Sequence, residues 1–228
     1  MGINAKHMAK IRLGLDSLGI PLDSIKMGEF GAQRLVLKTY PKGSEYHDYV
    51  NSKKYFESLG MEHVSFDTNS KWDSLNVDLS IIHSEWKGYF DIVTDYGTSE
   101  HVRGGQYQVF ANIHNFVREG GVMCHGNPMI GRIQMGHPVH DSVYYHPDFY
   151  NKLAELNGYE VISIEIMKDS RRTKKKGGDL TSVLKKIDDR PFCSEEDFWN
   201  MRAIDDYSKG QSLTKDRFKY EDEPDTSE

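Results

Sequence analysis

Two periodicities of apolar residues alternate along this chain. Apolar residues spaced three and four apart predict helices over residues 5–19, 49–59, 106–117 and 147–157. Short apolar runs predict strands over residues 25–30, 63–67, 77–79, 90–95, 122–125, 159–166 and 181–187, the last antiparallel to its predecessor. Such alternation is typical of an α/β fold with a mostly parallel sheet and helices on both faces.

Turn and cap residues mark several boundaries of these elements. Gly120 and Gly121 are predicted to stop the third helix and to turn the chain into the strand that begins at Val122. Ser194, three residues before Asp197, resembles a capping box and predicts a last short helix. We therefore expect an N-terminal helical segment over residues 1–21, a main domain over 22–190, and a helical extension with an acidic tail over 191–228.

Composition narrows the class of protein. A hydrophobic fraction of 37% in 228 residues is enough for one core. No apolar stretch approaches the roughly 18 residues that span a bilayer, and no signal-peptide pattern follows the N-terminus. The two cysteines, Cys124 and Cys193, are far apart, so a disulfide framework is not indicated and we expect a cytoplasmic protein. The net charge of −6 argues against a general affinity for nucleic acid, and we expect a small-molecule substrate.

Four acidic residues end successive apolar runs: Glu29, Asp67, Asp78 and Asp95. In an open α/β sheet, ligands bind at the carboxyl ends of the strands. Carboxylates along that edge can accept hydrogen bonds from the hydroxyl and amino groups of a nucleoside. Gly31, two residues after Glu29, allows a ligand to approach the backbone closely, although the full three-glycine dinucleotide motif is missing. The alternative is that each acid only caps the helix that follows its strand.

In this order the acidic segments resemble the class I S-adenosylmethionine-dependent methyltransferases. The turn at Glu29 and Gly31 is similar to the first motif of that family, and residues 90–95 are similar to its fourth-strand motif. Gly120 and Gly121 resemble its Gly-Gly turn. The resemblance covers residues 22–190 and implies a Rossmann-like seven-stranded sheet. It also implies S-adenosylmethionine as the cofactor, bound by Glu29, Gly31, Gln33, Asp67, Asp78, Leu79, Asp95 and Gly97.

More narrowly, residues 94–102 resemble a subgroup of methyltransferase-like proteins of unknown substrate. Two features depart from the family pattern. Gln33 stands where the first motif usually has its second glycine, and Glu29 and Asp67 are 38 positions apart, about twice the usual separation. We interpret residues 38–49 as an insertion that either folds over the cofactor or lies on the surface.

The segment after Asp95 is where the family resemblance implies that methyl donor and acceptor meet. A hydroxyl or amine acceptor needs a base with a pKa near neutral, a role that histidine suits. We predict His101 as that base, with Glu100 as its orienting group or as an alternative base. The alternative is that Glu100 and His101 only begin a solvated helix.

Six of the ten histidines lie between residues 101 and 146, which indicates an acceptor pocket in this part of the chain. The predicted substrate-binding residues are His125, His137, His140 and Tyr144. Such a cluster could also bind a metal. However, His137 and His140 flank a proline and are not a helical ligand pair, so we predict no metal site.

The sequence thus predicts methyl transfer from S-adenosylmethionine to an oxygen or nitrogen nucleophile of a small-molecule or sugar-like acceptor. Three alternatives remain open. One is a methyltransferase acting on nucleic acid or protein, which would dock through the basic run at residues 171–176. Another is a non-catalytic nucleoside-binding module that kept the fold. The third is a metal-dependent enzyme built on the histidines. The sequence does not indicate an oligomeric state.

Overall fold

The computed structural model describes residues 2–102, 104–130, 143–168 and 178–206. Its helices are α1 (Ala5–Leu18), α2 (Ser52–Ser58), α3 (Gln106–Phe116), α4 (Phe149–Asn157) and α5 (Glu195–Asn200). Its strands are β1 (Gly2–Ile3), β2 (Lys26–Phe30), β3 (Arg34–Leu35), β4 (Glu62–Asp67), β5 (Leu75–Asn76), β6 (Phe90–Tyr96), β7 (Val117–Pro128), β8 (Val143–Tyr145), β9 (Tyr159–Lys168), β10 (Gly178–Lys186) and β11 (Ile204–Asp206). His137, His140, the basic run and the acidic tail lie outside the described residues.

The core of the fold is a seven-stranded sheet in the order β5-β4-β2-β6-β7-β10-β9. The pairs from β5 to β7 are parallel, whereas β10 is antiparallel to both β7 and β9. The sheet is therefore mixed, with one reversed strand, and the antiparallel hairpin predicted for its last strand is confirmed. The four longer predicted helices are also confirmed, with ends shifted by at most three residues.

Helices cover both faces of this sheet. On one face, α1 and α2 bury apolar residues against Met27, Ile92 and Val122. On the other face, α3 and α4 pack onto an aromatic cluster that includes Phe30 and Phe66. Successive side chains of a strand point to opposite faces of the sheet, and residues paired on neighbouring parallel strands point to the same face. The position of a residue along its strand therefore decides which of the two cores its side chain enters. The expected Rossmann-like α/β layering is confirmed.

The prediction of a strand over residues 77–79 is wrong, because the short strand β5 in this region is Leu75–Asn76. Asp78 accepts hydrogen bonds at Oδ1 from the backbone N–H of Ser80 (2.9 Å) and from its hydroxyl (2.6 Å). A carboxylate that bonds the backbone two residues ahead favours a turn over a strand. Asp78 therefore begins a turn at the sheet edge and does not end a strand.

The prediction that Gly120 and Gly121 end the third helix and turn the chain into the next strand is also wrong. Helix α3 ends at Phe116, and strand β7 begins at once with Val117, which pairs with Phe90. The two glycines lie inside β7, where the register with β6 shifts, and Gly120 has a φ of +76°. A buried β-branched residue starts the strand, and the glycines allow an irregularity within it.

The insertion over residues 38–49 is anchored to the core by two tyrosines, while most of its other side chains are exposed. Tyr40 and Tyr46 are buried, with ring centroids 4.3 Å apart, and Tyr46 also packs against Tyr55 of α2. The hydroxyl of Tyr40 donates to the carbonyl oxygen of Ile3 at 3.0 Å. The segment therefore lies on the surface, one of the two forms expected for it, and is held there by its two buried aromatic side chains.

Helix α1 packs directly onto the sheet and buries Met8, Ile11 and Leu15. Lys10 of α1 forms an ion pair with Glu165 on the edge strand β9. In the parts of the chain that the structure describes, no helix combines the length and the apolar character needed to cross a membrane.

Candidate active site

A cavity of about 580 Å³ opens at the carboxyl ends of β2, β4 and β6. Its walls are the segments 31–33, 66–68, 77–80, 97–98 and 101–102. These segments follow successive parallel strands, and the loops after such strands converge on one edge of an open sheet. The cavity is therefore where the topology of this fold brings ligand-binding loops together.

The turn after β2 requires glycine at position 31. Gly31 has a φ of +80°, a conformation that other residues rarely adopt. A Cβ atom on Gly31 would lie 2.2 Å from Oγ1 of Thr98 and 2.8 Å from Nε2 of Gln33. The backbone N–H of Gly31 donates to the carbonyl oxygen of Phe66 at 2.7 Å, which holds the turn against β4. The turn is closely packed on the side that faces Thr98.

Gln33, the residue that departs from the family motif, joins two walls of the cavity. Its Nε2 donates to Oγ1 of Thr98 at 3.3 Å, and the Thr98 hydroxyl donates to the carbonyl oxygen of Phe30 at 2.7 Å. Since the Thr98 proton is used on Phe30, the Gln33 amide must present its NH₂ group to Thr98. Among the described residues, the buried Oε1 of Gln33 has no hydrogen-bond partner.

Asp67 and Asp78 stand on the cavity wall in different environments. Asp67 is half-buried at the end of β4, and its Oδ2 accepts from the backbone N–H of Ala32 at 2.8 Å. Asp78 is exposed, and its hydrogen bonds from Ser80 lower the pKa of its carboxyl group. Both side chains carry carboxyl oxygens that can accept hydrogen bonds, and both line the same cavity.

Glu29 lies beneath the turn and does not line the cavity. It is 1% exposed, and its Oε2 accepts from the backbone N–H of Gln33 at 3.3 Å. Burial raises its pKa to about 8, against the opposing effect of a hydrogen bond from Ser52. The nearest basic group is His63, whose Nε2 is 3.8 Å from Glu29 Oε2 and whose pKa burial lowers to about 3. Both groups are therefore neutral near pH 7.

Asp95 is fully buried at the end of β6 and anchors the segment that follows it. Burial alone would raise the pKa of its carboxyl group, but a hydrogen bond and the charge of His125 lower that pKa below its usual value. Its Oδ1 accepts from the backbone N–H of Ser99 at 3.0 Å, and its Oδ2 accepts from Nδ2 of Asn127 at 3.2 Å. Asp95 thus acts on the cavity through the backbone of residues 97–102.

The two predicted catalytic residues lie in different surroundings. His101 is exposed and lies on the cavity wall, at the end of a short 3₁₀ helix over residues 99–101. Glu100 is completely buried, and its Oε2 accepts from Nδ2 of Asn127 at 3.2 Å. Because a buried carboxylate within a hydrogen-bond network is held in place, Glu100 fits an orienting role better than proton transfer at the cavity.

Of the predicted acceptor residues, His125 and Tyr144 are described by the structure. His125 is 1% exposed, stacked against Tyr150 at 5.0 Å, with Nδ1 3.5 Å from Asp95 Oδ2. Tyr144 is half-buried in β8, which pairs with β11. Neither lines the cavity. In the described residues no group of three metal-ligating side chains comes together.

Two polar residues that sequence reasoning missed contribute to the site. Thr98 binds both Gln33 and Phe30 across the turn. Asn127 extends the strand predicted to end at His125 and reaches Asp95, Ser99 and Glu100. A polar residue at the carboxyl end of an apolar strand was the available signal for Asn127. No comparable signal marked Thr98, because its role depends on contact with a turn 65 residues earlier.

Solved structures show what this architecture is similar to. A Burkholderia thailandensis 1,6-didemethyltoxoflavin-N1-methyltransferase with bound 1,6-didemethyltoxoflavin and S-adenosylhomocysteine matches with a TM-score of 0.56 and 15% identity, over 81% of this chain and 80% of that chain. The N-methyltransferase NodS from Bradyrhizobium japonicum, in complex with S-adenosylhomocysteine, matches with a TM-score of 0.50 and 12% identity, over 80% and 86%.

The [4+2]-cyclase SpnF matches with a TM-score of 0.53 and 8% identity, over 80% of this chain and 81% of that chain. No protein-family model and no curated protein matches the sequence. At these identities the likeness concerns the fold. The chain has the fold of the class I S-adenosylmethionine-dependent methyltransferases.

Proposed function

We propose that the protein binds S-adenosylmethionine and transfers its methyl group to an oxygen or nitrogen nucleophile of a small-molecule or sugar-like acceptor. One observation carries this proposal. Six of the eight residues predicted to hold the cofactor line the cavity at the sheet edge, namely Gly31, Gln33, Asp67, Asp78, Leu79 and Gly97. The two methyltransferases above share the fold and were solved with S-adenosylhomocysteine bound.

The residues around the cavity fit a nucleoside with a charged side chain. Gly31 allows the turn after β2 to pack closely against Thr98 and is itself part of the cavity wall. Within the described residues, Asp67 uses Oδ2 for Ala32 and has Oδ1 available to accept from ribose hydroxyls. Asp78 is suited to accept from the adenine amino group, with Leu79 as an apolar wall. Gln33 contributes to the wall of the cavity and holds Thr98 in place there. A volume of about 580 Å³ suits a ligand of this size.

Two of the eight predicted residues would act from below the cavity. Glu29 holds the backbone N–H of Gln33, and Asp95 holds that of Ser99. We propose that both carboxyl groups orient the cavity walls and do not touch the ligand. Rigid support of this kind is what keeps a binding loop within the narrow geometry that binding requires.

When bound, the cofactor would supply a methyl group activated by a positively charged sulfur. The protein then has to align the acceptor and remove its proton. His101 is exposed on the cavity wall and is the proposed base. Glu100 is proposed to orient the segment that carries His101, through its buried hydrogen bond with Asn127. A cytoplasmic location and the identity of the acceptor stay predictions.

The cofactor proposal is tested by calorimetric titration with S-adenosylhomocysteine. Wild-type protein should bind it, and Asp67→Ala should weaken binding at least tenfold, about 1.4 kcal/mol, because a bond from each of two ribose hydroxyls to a charged acceptor is lost. Asp73→Ala, an exposed acid outside the cavity walls, is the matched control and should bind normally. Absence of binding by the wild type, or equal binding by Asp67→Ala, contradicts the assignment.

The catalytic proposal is tested with His101→Ala. This variant should keep its affinity for S-adenosylhomocysteine within about threefold, while turnover with an acceptor found by screening falls by roughly 10²–10⁴-fold. His47→Ala, at an exposed histidine of the insertion, serves as the control. Unchanged turnover in His101→Ala would mean that another group accepts the proton.

One observation favours a second candidate function, a reaction other than methyl transfer on the same fold. SpnF, a [4+2]-cyclase, matches this chain with a TM-score comparable to that of the methyltransferases. The two functions differ in their products. Transfer of a labelled methyl group to any acceptor supports the first, whereas ligand-dependent conversion of a substrate with S-adenosylmethionine left intact supports the second.

A further inference from the structure

We propose that Asn127 is a positioning residue that sets the shape of the cofactor cavity by holding residues 97–102 from beneath. This inference rests on the proposed function, since it concerns the affinity of the same cavity. Asn127 lies at the carboxyl end of β7 and is completely buried. It does not line the cavity, and it would act through the segment that does.

The side-chain amide of Asn127 stands at the centre of a buried polar network. Its Nδ2 donates to Ser99 Oγ at 2.7 Å and lies 3.2 Å from both Asp95 Oδ2 and Glu100 Oε2. Its Oδ1 accepts from the hydroxyl of Tyr150. Because the ionised Asp95 carboxylate can only accept, the amide must turn its NH₂ group toward these oxygens. One amide therefore serves acceptors from β6 and from the 3₁₀ helix after it.

That network controls a wall of the cavity. Gly97, Thr98, His101 and Val102 line the cavity, and Ser99 lies between them with its side chain facing Asn127. Gln106 supports the same turn, since its Nε2 donates to the carbonyl oxygens of Ser99 (2.7 Å) and Val102 (3.0 Å). Side chains of β6, β7, β8 and α3 hold the turn from below, and Asn127 contacts both carboxyl groups, those of Asp95 and Glu100.

An uncharged amide is needed at position 127 because the neighbouring buried side chains are acidic. Two buried carboxyl groups point at this side chain, and a third in its place would repel them at low dielectric. Among the described residues, Asp95, Glu100 and Tyr150 contact Asn127 directly, whereas His125 lies 3.5 Å from Asp95 and Tyr145 bonds Ser99. From β10 the residue opposite, Leu180, is apolar. An aspartate here would be tolerated in its protonated form and would push the turn away when ionised.

The test compares Asn127→Asp with the wild type by calorimetric titration of S-adenosylhomocysteine at about pH 6 and about pH 9. At each pH, the dissociation constant of the variant is divided by that of the wild type. This affinity ratio should rise roughly tenfold or more from the lower pH to the higher one, because ionisation of the new carboxyl group displaces the turn. Division by the wild-type value removes the pH dependence of other groups.

Asn157→Asp is the matched control. Asn157 is equally an internal amide, donating to the carbonyl oxygen of Leu153 at 2.9 Å and accepting from the backbone N–H of Cys193 at 2.9 Å, but it lies at the end of α4, away from the cavity. This variant should lose thermal stability while its affinity ratio stays the same at both pH values. A purely structural role for Asn127 predicts the same flat ratio for Asn127→Asp and would overturn the inference.

Two further outcomes keep the tests separate. If the wild type does not bind S-adenosylhomocysteine, the proposed function fails, whatever the variants do. If Asn127→Asp does not fold, Ser99→Ala replaces it, because this change removes the hydroxyl that Asn127 bonds and leaves both carboxyl groups. It should raise the dissociation constant about threefold or more with the protein folded. An unchanged constant would overturn the role of Asn127.

Discussion

At the scale of single residues, Glu29 and His63 form a buried acid–base pair that is not an ion pair. Their side chains approach to 3.8 Å and are nearly inaccessible to water. Burial raises the pKa of Glu29 to about 8 and lowers that of His63 to about 3, so each group is neutral between those values. Removing two charges from water costs more here than their attraction returns. The pair supports the cavity turn without placing a charge beneath it.

The two members of this pair make stability depend on pH in opposite directions, over ranges that overlap between pH 4.5 and pH 6.5. Glu29 ionises in the unfolded chain above its ordinary pKa of 4.5 and in the folded protein only above about 8, so its contribution is complete below 4.5 and is lost as the pH rises to 8. His63 is protonated in the unfolded chain below 6.5, so its contribution is lost as the pH falls from 6.5 toward 3.

We therefore expect Glu29 to lower the free energy of unfolding of the wild type by about 2 kcal/mol between pH 6.5 and pH 8, a range that lies above the ordinary pKa of His63. Glu29→Gln keeps an acceptor for the Gln33 N–H and should remove this fall. Urea unfolding across that range provides the measurement. His63→Gln is the control, because it should keep the fall above pH 6.5 and lose the destabilising contribution of His63 below it. Parallel curves for wild type and Glu29→Gln would contradict the assignment.

At the scale of elements, the turn after β2 is where local backbone geometry and tertiary packing meet. Gly31 needs its positive φ to leave the strand, and Thr98 fills the space beside it from a loop 67 residues later. Gln33 then bonds Thr98, so two loops that would form the same site also hold each other. Loops positioned by a rigid scaffold in this manner are where binding sites are commonly found.

Gly31→Ala should therefore weaken binding of S-adenosylhomocysteine at least tenfold, about 1.4 kcal/mol. The added Cβ would meet Thr98 Oγ1 at 2.2 Å, in a backbone conformation that alanine disfavours. Calorimetric titration measures the effect. Adding Thr98→Ala removes the clashing atom and should recover part of the affinity lost in Gly31→Ala. Normal binding by Gly31→Ala alone would mean that the turn can move without consequence.

Gly19 is a useful contrast at the same scale. It also has a positive φ, of +65°, but no atom lies within 4 Å of the Cβ it could carry, and it only caps α1. Gly19→Ala should reduce stability through the backbone conformation alone, by about 1 kcal/mol, and leave cofactor binding unchanged. Comparison of Gly19→Ala with Gly31→Ala therefore distinguishes the cost of backbone strain from the loss of ligand binding at the cavity.

At the scale of the whole molecule, α1 is part of the folded core. Ile11 is completely buried against a cluster that includes Ile92, Cys124 and Val183 from three strands of the sheet. The division into an N-terminal segment and a main domain stays a prediction about the chain, but the segment does not stand apart from the sheet. The apolar surface beneath α1 would be exposed to water without it.

Ile11→Ala should accordingly lower the free energy of unfolding by about 2–5 kcal/mol, the usual cost of emptying a core position. Leu13→Ala on the same helix is the control. Leu13 is 38% exposed, and its truncation should cost less than about 1 kcal/mol. Denaturant unfolding of both variants measures the difference. Equal small losses would show that α1 can leave the sheet without unfolding it.

Periodicity alone was enough to predict the long helices and most strands of the sheet. The spacing of apolar residues along the chain determines which face of a helix or strand is buried, and that spacing is a local property of the sequence. The order of the acidic strand ends was likewise enough to indicate the cavity edge, and Asp67, Asp78 and His101 do meet there. Boundaries were less well predicted. The turn at Asp78 and the bulge at Gly120 depend on side-chain bonds and strand register that no local pattern carries.

Which acidic residues face the cavity depended on the tertiary fold. Successive residues of a strand point to opposite faces, so Glu29 and Asp95, one register step apart, enter different cores. Both are buried beneath the loops they support, whereas Asp67 and Asp78 stay on the cavity wall. The contacts of Thr98 and Asn127 join loops distant in sequence. Such contacts form only when the sheet brings separate strand ends together, and for that reason the sequence indicated the edge of the site but not its internal supports.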